Sequence, residues 1–354
     1  MKFQNAALIS VIFLMPIISS CGTGSKHDAL QLKGEWQNAG LTNYISRIQR
    51  HGPYLYVGTD EGVFRGETAR IENTWESLGL GNHQVLDFAI FDTSKILAVV
   101  RIADFASGDP TLFMTDNGGQ SWSEYMNGFG GADHETWVEC LEMEPTDPDI
   151  LYTARGSLIA RSTDQGKSWN PVNGTWDGWG GFNHVLKADP KKPGTVWSGG
   201  INGVFQPILY KSTDFGKTWK SFLNNIFADK VETTIYDLTI NTSDSSHLLI
   251  GEDIGIKQSI DGGDHWSQVY TRNPIYTLAN DPVKNNLVYA TGVNNDSTLF
   301  FAASPDFGDT WKVVEDKTGP SGIYTNALFA TTVNGKVVLF FGTNKGVYRY
   351  EFSD

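Results

Sequence analysis

Residues 212–219 read STDFGKTW, and the same octet recurs along the chain. Its pattern is a Ser, an Asp two positions later, a Gly four positions later and a Trp seven positions later. The other copies are STDQGKSW at 162–169, SIDGGDHW at 259–266, SPDFGDTW at 304–311 and, with a shifted start, TDNGGQSW at 115–122. Self-similarity at a fixed period is the signature of repeat architectures, so the octets indicate a repeat protein.

The octet has the chemistry of a tight turn. Ser and Asp side chains accept hydrogen bonds from nearby backbone N–H groups and close a turn locally. The Gly supplies a backbone conformation with positive φ. The Trp starts the next strand and buries a large apolar ring. We therefore interpret each octet as a hairpin connection followed by a packed strand, and not as a ligand site.

The tryptophans measure the length of the repeat. Those of the five octets lie at intervals of 47, 50, 47 and 45 residues. Trp75 lies 47 residues before Trp122, and Trp36 lies 39 residues before Trp75. Three short runs rich in β-branched and aromatic residues precede each Trp strand, such as HVLKADP, TVWSGG and ILYKST ahead of Trp219. Such runs, separated by Gly, Asn, Asp and Pro, are typical of strands.

The two ends of the repeat region complement each other. The last unit has the runs IYTNALFA, KVVLFFG and GVYRYEF but no fourth strand, and the segment around Trp36 can supply it. The pattern predicts an all-β fold, a seven-bladed β-propeller over residues 34–354 whose N-terminal strand closes the C-terminal blade. Closure protects strand edges that would otherwise template aggregation. We find no helical period beyond residue 21.

The N-terminus has the composition of a targeting segment. Lys2 is followed by the apolar run ALISVIFLMPII and then by small residues up to Cys21. This order predicts a signal peptide over residues 1–20, and Pro16 together with the shortness of the run argues against a membrane span. The run ISSC at 18–21 resembles the bacterial lipobox. Residues 21–33 are polar and predict a tether.

The lipobox resemblance implies that Cys21 carries the lipid, as in palmitate-bearing lipoproteins, and becomes the mature N-terminus. The chain would then be anchored to a membrane of the bacterial cell envelope, facing the periplasm or the cell exterior. An ordinary secretory signal is the alternative.

Composition narrows the classes of partner. The formal net charge is −13 and the isoelectric point is near 4.9, without a basic run, so nucleic acid is an unsuitable partner. Cys140, inside the run WVECLEM, is read as a small core hydrophobe, with a reactive thiol as the alternative. We expect a monomeric propeller with no cofactor and no metal site.

The octets resemble Asp-boxes, also called BNR repeats, and the runs LYVGTDEGVFRG at 55–66 and FGTNKGVYRYEF at 341–352 are similar to strand pairs of that superfamily. It includes sialidases, xyloglucan-active glycoside hydrolases, sortilin-type receptor domains and photosystem II assembly factors. The resemblance implies the propeller fold but no particular activity. Sialidases usually carry an Arg-Ile-Pro phrase, whereas Arg47 is followed by Ile48 and Gln49. The xyloglucan-active enzymes usually pair two propellers, and this chain has one.

A ligand site is expected at one end of the central channel, where the chain enters the innermost strands. Aligning the seven entry segments on apolar anchors (Ile48, Phe88, Leu141, Leu186, Leu238, Leu278 and Leu328) places a ring of polar residues just before them. The ring comprises Arg47, Asp87, Glu139, His184, Tyr236, Asp237, Tyr276 and Asn326. Of these, Asp87, Glu139, His184, Asp237 and Tyr276 are the catalytic candidates, because paired carboxylates support acid/base work on glycosidic bonds. The alternative is that these groups satisfy one another and channel waters.

Two entry loops, residues 128–137 and 173–184, are long and rich in Gly. Trp176 and Trp179 lie in the second loop beside Asp177, and exposed aromatic rings suit stacking on sugars or on a protein. Together with Arg47 and Tyr236, these three residues are the predicted ligand-binding set. The favoured function is an envelope-anchored module that binds a glycan or protein partner, and the alternative is a carbohydrate-active enzyme, a glycoside hydrolase or polysaccharide lyase. A purely structural envelope protein is a weaker third reading.

Overall fold

The computed structural model describes residues 32–101, 111–125, 138–156, 158–174, 181–222, 233–294, 298–314 and 319–353. These residues form strands β1–β28, arranged in seven antiparallel sheets of four strands each. The sheets are the blades of a seven-bladed β-propeller, so the predicted fold is confirmed. A short 3₁₀ helix spans Thr68–Asn73, and within the described ranges no helix has the length and apolarity needed to cross a membrane.

In six blades the four strands follow one another in the chain, and their first strands contact each other around the central channel. Blades 1 to 3 are β2–β5 (Ile45–His51, Tyr54–Thr59, Gly62–Glu67, Glu76–Ser77), β6–β9 (Gln84–Ile90, Ile96–Arg101, Leu112–Thr115, Ser123–Glu124) and β10–β13 (Cys140–Met143, Leu151–Arg155, Leu158–Ser162, Asn170–Asn173). Blades 4 to 6 are β14–β17 (Gly181–Ala188, Val196–Asn202, Pro207–Ser212, Lys220–Ser221), β18–β21 (Ile235–Ile240, Leu248–Glu252, Gly255–Ser259, Ser267–Tyr270) and β22–β25 (Ile275–Asn280, Val288–Val293, Leu299–Ser304, Lys312–Val313).

The seventh blade joins the two ends of the chain, as predicted. It consists of β26 (Thr325–Val333), β27 (Lys336–Thr343), β28 (Gly346–Phe352) and β1 (Gly34–Asn38), and β1 pairs with β28. Trp36 lies opposite Tyr350 in this ladder, with ring centroids 4.9 Å apart. The N-terminal strand therefore closes the C-terminal blade.

Packing begins two residues before β1, inside the segment predicted as a tether. Leu32 is buried, and its carbonyl accepts a hydrogen bond of 2.7 Å from the Tyr350 hydroxyl. The backbone N–H of Ser353 donates to the carbonyl of Lys33 at 2.9 Å. Leu32 and Lys33 thus belong to the compact unit that contains the propeller.

The hydrogen bonds of residues 212–219 explain the recurring octet. Ser212 Oγ donates to Asp214 and accepts the N–H of Gly216 at 2.9 Å. Asp214 Oδ1 accepts the N–H of Thr218 at 2.9 Å, and Oδ2 accepts the Thr218 hydroxyl at 2.7 Å. Phe215 and Gly216 have φ of 61° and 72°, so two consecutive left-handed residues turn the chain. Each polar residue that recurs in the octet thus makes hydrogen bonds that close part of this turn.

The copy at 115–122 uses the same frame as the others, which corrects the expectation of a shifted start. Thr115 occupies the Ser position, and its Oγ1 accepts the N–H of Gly119 at 2.9 Å. Asn117 occupies the Asp position, and its Oδ1 accepts the N–H of Ser121 at 3.0 Å. A neutral amide oxygen therefore substitutes for the carboxylate in this turn.

The Gly of each octet also lies against the preceding blade, a contact that the sequence analysis missed. A Cβ on Gly216 would lie 2.3 Å from the Tyr152 ring of blade 3, and one on Gly263 would lie 2.4 Å from the Trp197 ring of blade 4. Corresponding contacts join Gly166 to Leu97 and Gly308 to Leu249. Gly is required here both by positive φ and by close packing between blades.

A second set of glycines allows close packing nearer the channel. A Cβ on Gly251 of β19 would lie 2.8 Å from the carbonyl oxygen of Ile275, at the start of the next blade. The same pairing of a Gly with the first β-branched residue of the following blade recurs for Gly58 with Val85, Gly199 with Ile235 and Gly342 with Ile45. Strand starts therefore sit directly on the backbone of the preceding blade.

We predict that Asp214→Asn removes an acid-sensitive part of the stability. Burial opposes ionisation, but hydrogen bonds from Thr218, Ser212 and Lys217 lower the pKa of Asp214 to about 2. Because the folded pKa is depressed, this stabilisation is complete above about pH 4 and is lost as the pH falls toward 2. The variant should cost about 1 kcal/mol at pH 7 and show a flatter decline of unfolding free energy below pH 4.

The reciprocal change Asn117→Asp is the matched control, measured by chemical denaturation between pH 2 and 7. It should steepen the decline of stability below pH 4. If neither substitution alters the pH dependence, the carboxylate makes no ionic contribution to the turn.

Candidate functional site

The innermost strands share one irregularity at the channel mouth. Their pairing with the second strand slips by one residue at the same place in six blades, leaving Ser46, Leu86, His184, Tyr236, Tyr276 and Asn326 unpaired in the register. In blade 3 the corresponding residue is Glu139, whose N–H donates to the Ala154 carbonyl at 3.0 Å. Such β-bulges redirect side chains and are common beside functional sites.

All eight residues of the predicted ring line one cavity, which has a volume of about 300 Å³. They are Arg47, Asp87, Glu139, His184, Tyr236, Asp237, Tyr276 and Asn326. Six of the seven apolar anchors behind them are buried, and Leu328 is partly buried. The residues that the alignment of the entry segments grouped are thus close to one another in the structure as well.

Asp237 holds two blades together. Its Oδ1 accepts the N–H of Leu238 at 2.8 Å, and its Oδ2 accepts the N–H of Leu278 in the next innermost strand at 2.7 Å. Burial raises the pKa of Asp237, while Lys187 and the two backbone N–H groups oppose the shift. Both carboxylate oxygens are therefore engaged in a bridge between β18 and β22.

Asp87 makes the same bridge between blades 2 and 3. Its two oxygens accept the N–H groups of Phe88 at 2.8 Å and Leu141 at 3.0 Å. Arg47 Nε lies 3.1 Å from Oδ1, in an ion pair across the channel wall. Burial raises the pKa of Asp87 despite Arg47 and the two amides, which lower it.

Glu139 and His184 form a more open pair. His184 Nδ1 lies 3.4 Å from Glu139 Oε2, and the side chains are 35% and 23% exposed. The ring of Phe182 stacks on His184 at 5.9 Å between centroids, with planes 5° apart. Phe182 is itself half exposed. Unlike Asp87 and Asp237, these groups face the cavity without being tied to a neighbouring strand by any hydrogen bond found in the described part of the chain.

Tyr236 and Tyr276 make an aromatic corner in the cavity. Their ring centroids are 5.0 Å apart and their planes are nearly perpendicular, at 87°. The Tyr236 hydroxyl donates to Asp253 Oδ1 at 2.7 Å, and Asp253 Oδ2 accepts the N–H of Thr234 at 2.9 Å. Burial, and after it the nearby Asp253 carboxylate, raises the pKa of both tyrosines. Both phenols therefore stay protonated near neutrality and cannot act as bases.

Three residues of the channel wall were missed because they follow the anchors instead of preceding them. Glu142 Oε1 accepts the N–H of Ala188 at 3.0 Å, and its Oε2 lies 4.0 Å from Arg47. Gln49 Nε2 donates to the Phe88 carbonyl at 2.7 Å, and Lys187 lines the cavity. Their signal in the sequence is a polar residue one position after an apolar anchor.

Several predicted site residues lie outside the described residues. These are Trp176, Asp177 and Trp179 of the ligand-binding set and the lipidation candidate Cys21. Cys140 is described: it is buried in the core beside the channel, and burial raises the pKa of its thiol well above the usual range.

The arrangement limits the chemistry of the cavity. A glycosidase needs one carboxylate free to protonate a leaving group and a second free to attack or to activate water. Asp87 and Asp237 use both oxygens to bind backbone amides. Within the described ranges, no three His, Cys, Asp or Glu side chains are grouped so that they could hold a metal ion.

Comparisons with known proteins agree on the fold. No protein-family model matches the chain. A structure of YCF48 bound to D1 peptide is similar, with a TM-score of 0.64 and 15% identity over 91% of this chain and 97% of that one. A GH74 xyloglucanase from Xanthomonas campestris has a TM-score of 0.67 and 16% identity over 90% of this chain and 54% of that one.

One relative also matches in sequence. A probable oligoxyloglucan-reducing end-specific xyloglucanase of Neosartorya fischeri is 29% identical over 175 residues, which is 42% of this chain and 20% of that protein. The match thus spans about a fifth of the length of this curated relative. Together the comparisons place the chain among seven-bladed β-propellers of the kind found in YCF48 and in xyloglucanases.

We predict that Asp237→Ala destabilises the propeller by about 2–4 kcal/mol, because two backbone N–H groups at the blade junction lose their acceptor. Glu139→Gln should change stability by less than about 0.5 kcal/mol, since its carboxylate is partly exposed and pairs only with His184. Urea denaturation of both variants measures the difference. Equal stability of Asp237→Ala and the parent protein would contradict the bridging role.

Proposed function

We propose that this chain is a binding protein that holds a segment of a partner protein at its channel mouth. The observation that carries this proposal is the set of exposed apolar side chains around a cavity whose carboxylates are mostly engaged in holding blades together. Exposed apolar groups beside a concave site favour an interaction surface.

The exposed groups belong to loops at the mouth end of the channel. In blade 4, Phe182 at the start of β14 is 50% exposed, and Val204 and Phe205 in the turn between β15 and β16 are each 66% exposed. Ile254, in the corresponding turn of blade 5, is 38% exposed, and Tyr324, before β26, is 43% exposed. In consecutive antiparallel strands, these turns and strand starts fall at one end of the propeller.

The turn that carries Phe205 holds its side chain in an exposed position. Phe205 has a φ of 60°, an unfavourable conformation for a bulky residue, and its N–H donates to the carbonyl of Asn202 at 3.1 Å. The Asn202 side chain accepts the N–H groups of Val204 at 3.1 Å and Gln206 at 2.8 Å. Phe215 has nearly the same φ in the octet turn, where its side chain is partly buried, whereas the Phe205 side chain is exposed.

Binding accounts for the cavity better than catalysis does. The predicted catalytic carboxylates Asp87 and Asp237 are used as interblade bridges, which leaves the Glu139 and His184 pair as the open titratable groups. The structure of YCF48 with a peptide supports a peptide-binding role at the level of fold.

Glycan binding or hydrolysis is the second candidate. The sequence match to a xyloglucanase supports it, as does the likeness to a GH74 enzyme. Trp176 and Trp179 would serve as stacking residues in that case. The two candidates differ in which ligand class is retained and in whether product is released.

The test is to expose the full chain, in detergent, to a random-peptide library, a glycan array and a polysaccharide depolymerisation assay. We expect the protein to retain some peptides of the library. The double change Val204→Ser and Phe205→Ser should weaken their binding about tenfold or more, because an aromatic anchor is lost. Val283→Ser is the matched control, because Val283 is 63% exposed at the opposite end of the propeller.

Glycan retention without peptide binding, or release of sugar product, would overturn the proposal in favour of the carbohydrate reading. If Val283→Ser weakens peptide binding as much as the double change at Val204 and Phe205 does, the peptide site does not lie at the channel mouth.

We also propose that the propeller is held at a membrane of a bacterial envelope by a lipid on Cys21. The support is the apolar segment followed by ISSC at 18–21. One acyl chain gives only marginal binding, and two or more give a firm anchor.

In a bacterial host, the parent protein should incorporate labelled palmitate and partition with membranes. Cys21→Ser should abolish the label and release the protein, whereas Cys140→Ser should retain both properties. Label on the Cys21→Ser variant would contradict the assignment.

A further inference from the structure

Resting on the proposed function, we propose that the partner segment inserts a lysine or arginine side chain into the aromatic corner formed by Tyr236 and Tyr276. Both rings line the cavity, and they come from adjacent innermost strands, β18 and β22, at the same bulge position.

The geometry of the corner suits a cation. The two rings contact each other edge to face, with planes at 87° and centroids 5.0 Å apart, and both residues line the cavity. A cation over a ring face, within about 6 Å of the ring centroid, is attracted by the ring's quadrupole. A sugar would instead be expected to stack flat on a single ring face. A cation on a flexible aliphatic stem can therefore reach this aromatic pair from the cavity.

The corner is also fixed before any ligand arrives. The Tyr236 hydroxyl is held by Asp253, which is itself anchored by the backbone N–H of Thr234. A ring that is already oriented loses little freedom on binding. The Asp253 carboxylate that accepts this hydrogen bond adds negative charge beside the Tyr236 hydroxyl.

The charges of the cavity favour the same sign of ligand. Three carboxylates line it, from Asp87, Glu139 and Asp237, against the two bases Arg47 and Lys187. Arg47 pairs with Asp87 at 3.1 Å and lies 4.0 Å from Glu142, so these carboxylates partly compensate its charge. Glu139 is 23% exposed, and its Oε2 lies 3.4 Å from His184 Nδ1.

The experiment uses three capped peptide libraries that differ only at a central residue, which is arginine, citrulline or glutamate, with the flanking positions randomised. Citrulline keeps the shape of arginine and removes its charge. The full chain in detergent should retain the arginine library about tenfold more than the citrulline library, and the glutamate library least. Tyr276→Leu and Glu139→Gln should each reduce the preference for arginine over citrulline several-fold.

The control is Tyr54→Leu, because Tyr54 also makes an edge-to-face pair, with Tyr56, at the opposite end of the propeller. It should leave the preference intact, and thermal melting establishes that each variant is folded. Equal retention of the three libraries, or preference for glutamate, would overturn this inference and leave peptide binding standing. Retention of none of them would overturn the proposed function itself.

Discussion

The propeller depends on contacts between neighbouring blades, because the seven sheets share no backbone ladder with one another. Side chains and close backbone packing must supply what hydrogen-bonded strands supply within a sheet. At the channel, Asp87, Glu142 and Asp237 each bind a backbone N–H of the next innermost strand. Farther out, the Gly of four octets lies against the second strand of the preceding blade, as Gly216 does against Tyr152. Neighbouring blades are thus joined both at the channel and farther from it.

This requirement explains the character of the channel. A carboxylate with two lone-pair-bearing oxygens can accept one N–H from its own strand and one from the next, which makes it a suitable bridge across a junction. The same engagement occupies both carboxylate oxygens of Asp87 and of Asp237. In the function proposed above, the groups that meet the ligand are Glu139, His184 and the two tyrosines of the corner.

Much of the fold could be predicted from the sequence. The octets, the spacing of their tryptophans and the unfinished last repeat gave the blade number and the closure by the strand around Trp36, because both depend on local patterns. The residues of the predicted ring also line one cavity, since a fixed repeat places equivalent positions at equivalent depths. The use of each ring residue could not be predicted. Whether Asp237 faces solvent or the N–H of Leu278 depends on a strand 41 residues away in the chain.

The sequence alone determined the turn chemistry, the strand pattern and the number of blades, because each octet closes through hydrogen bonds among residues within four positions of one another. Only the tertiary structure decided that octet glycines pack on the preceding blade, that bulges turn Tyr236 and Tyr276 into one corner, and that Phe205 is displayed at the rim. These features arise where separate repeats meet. A repeat pattern specifies each unit, whereas the space between two units depends on side chains that are far apart in the sequence.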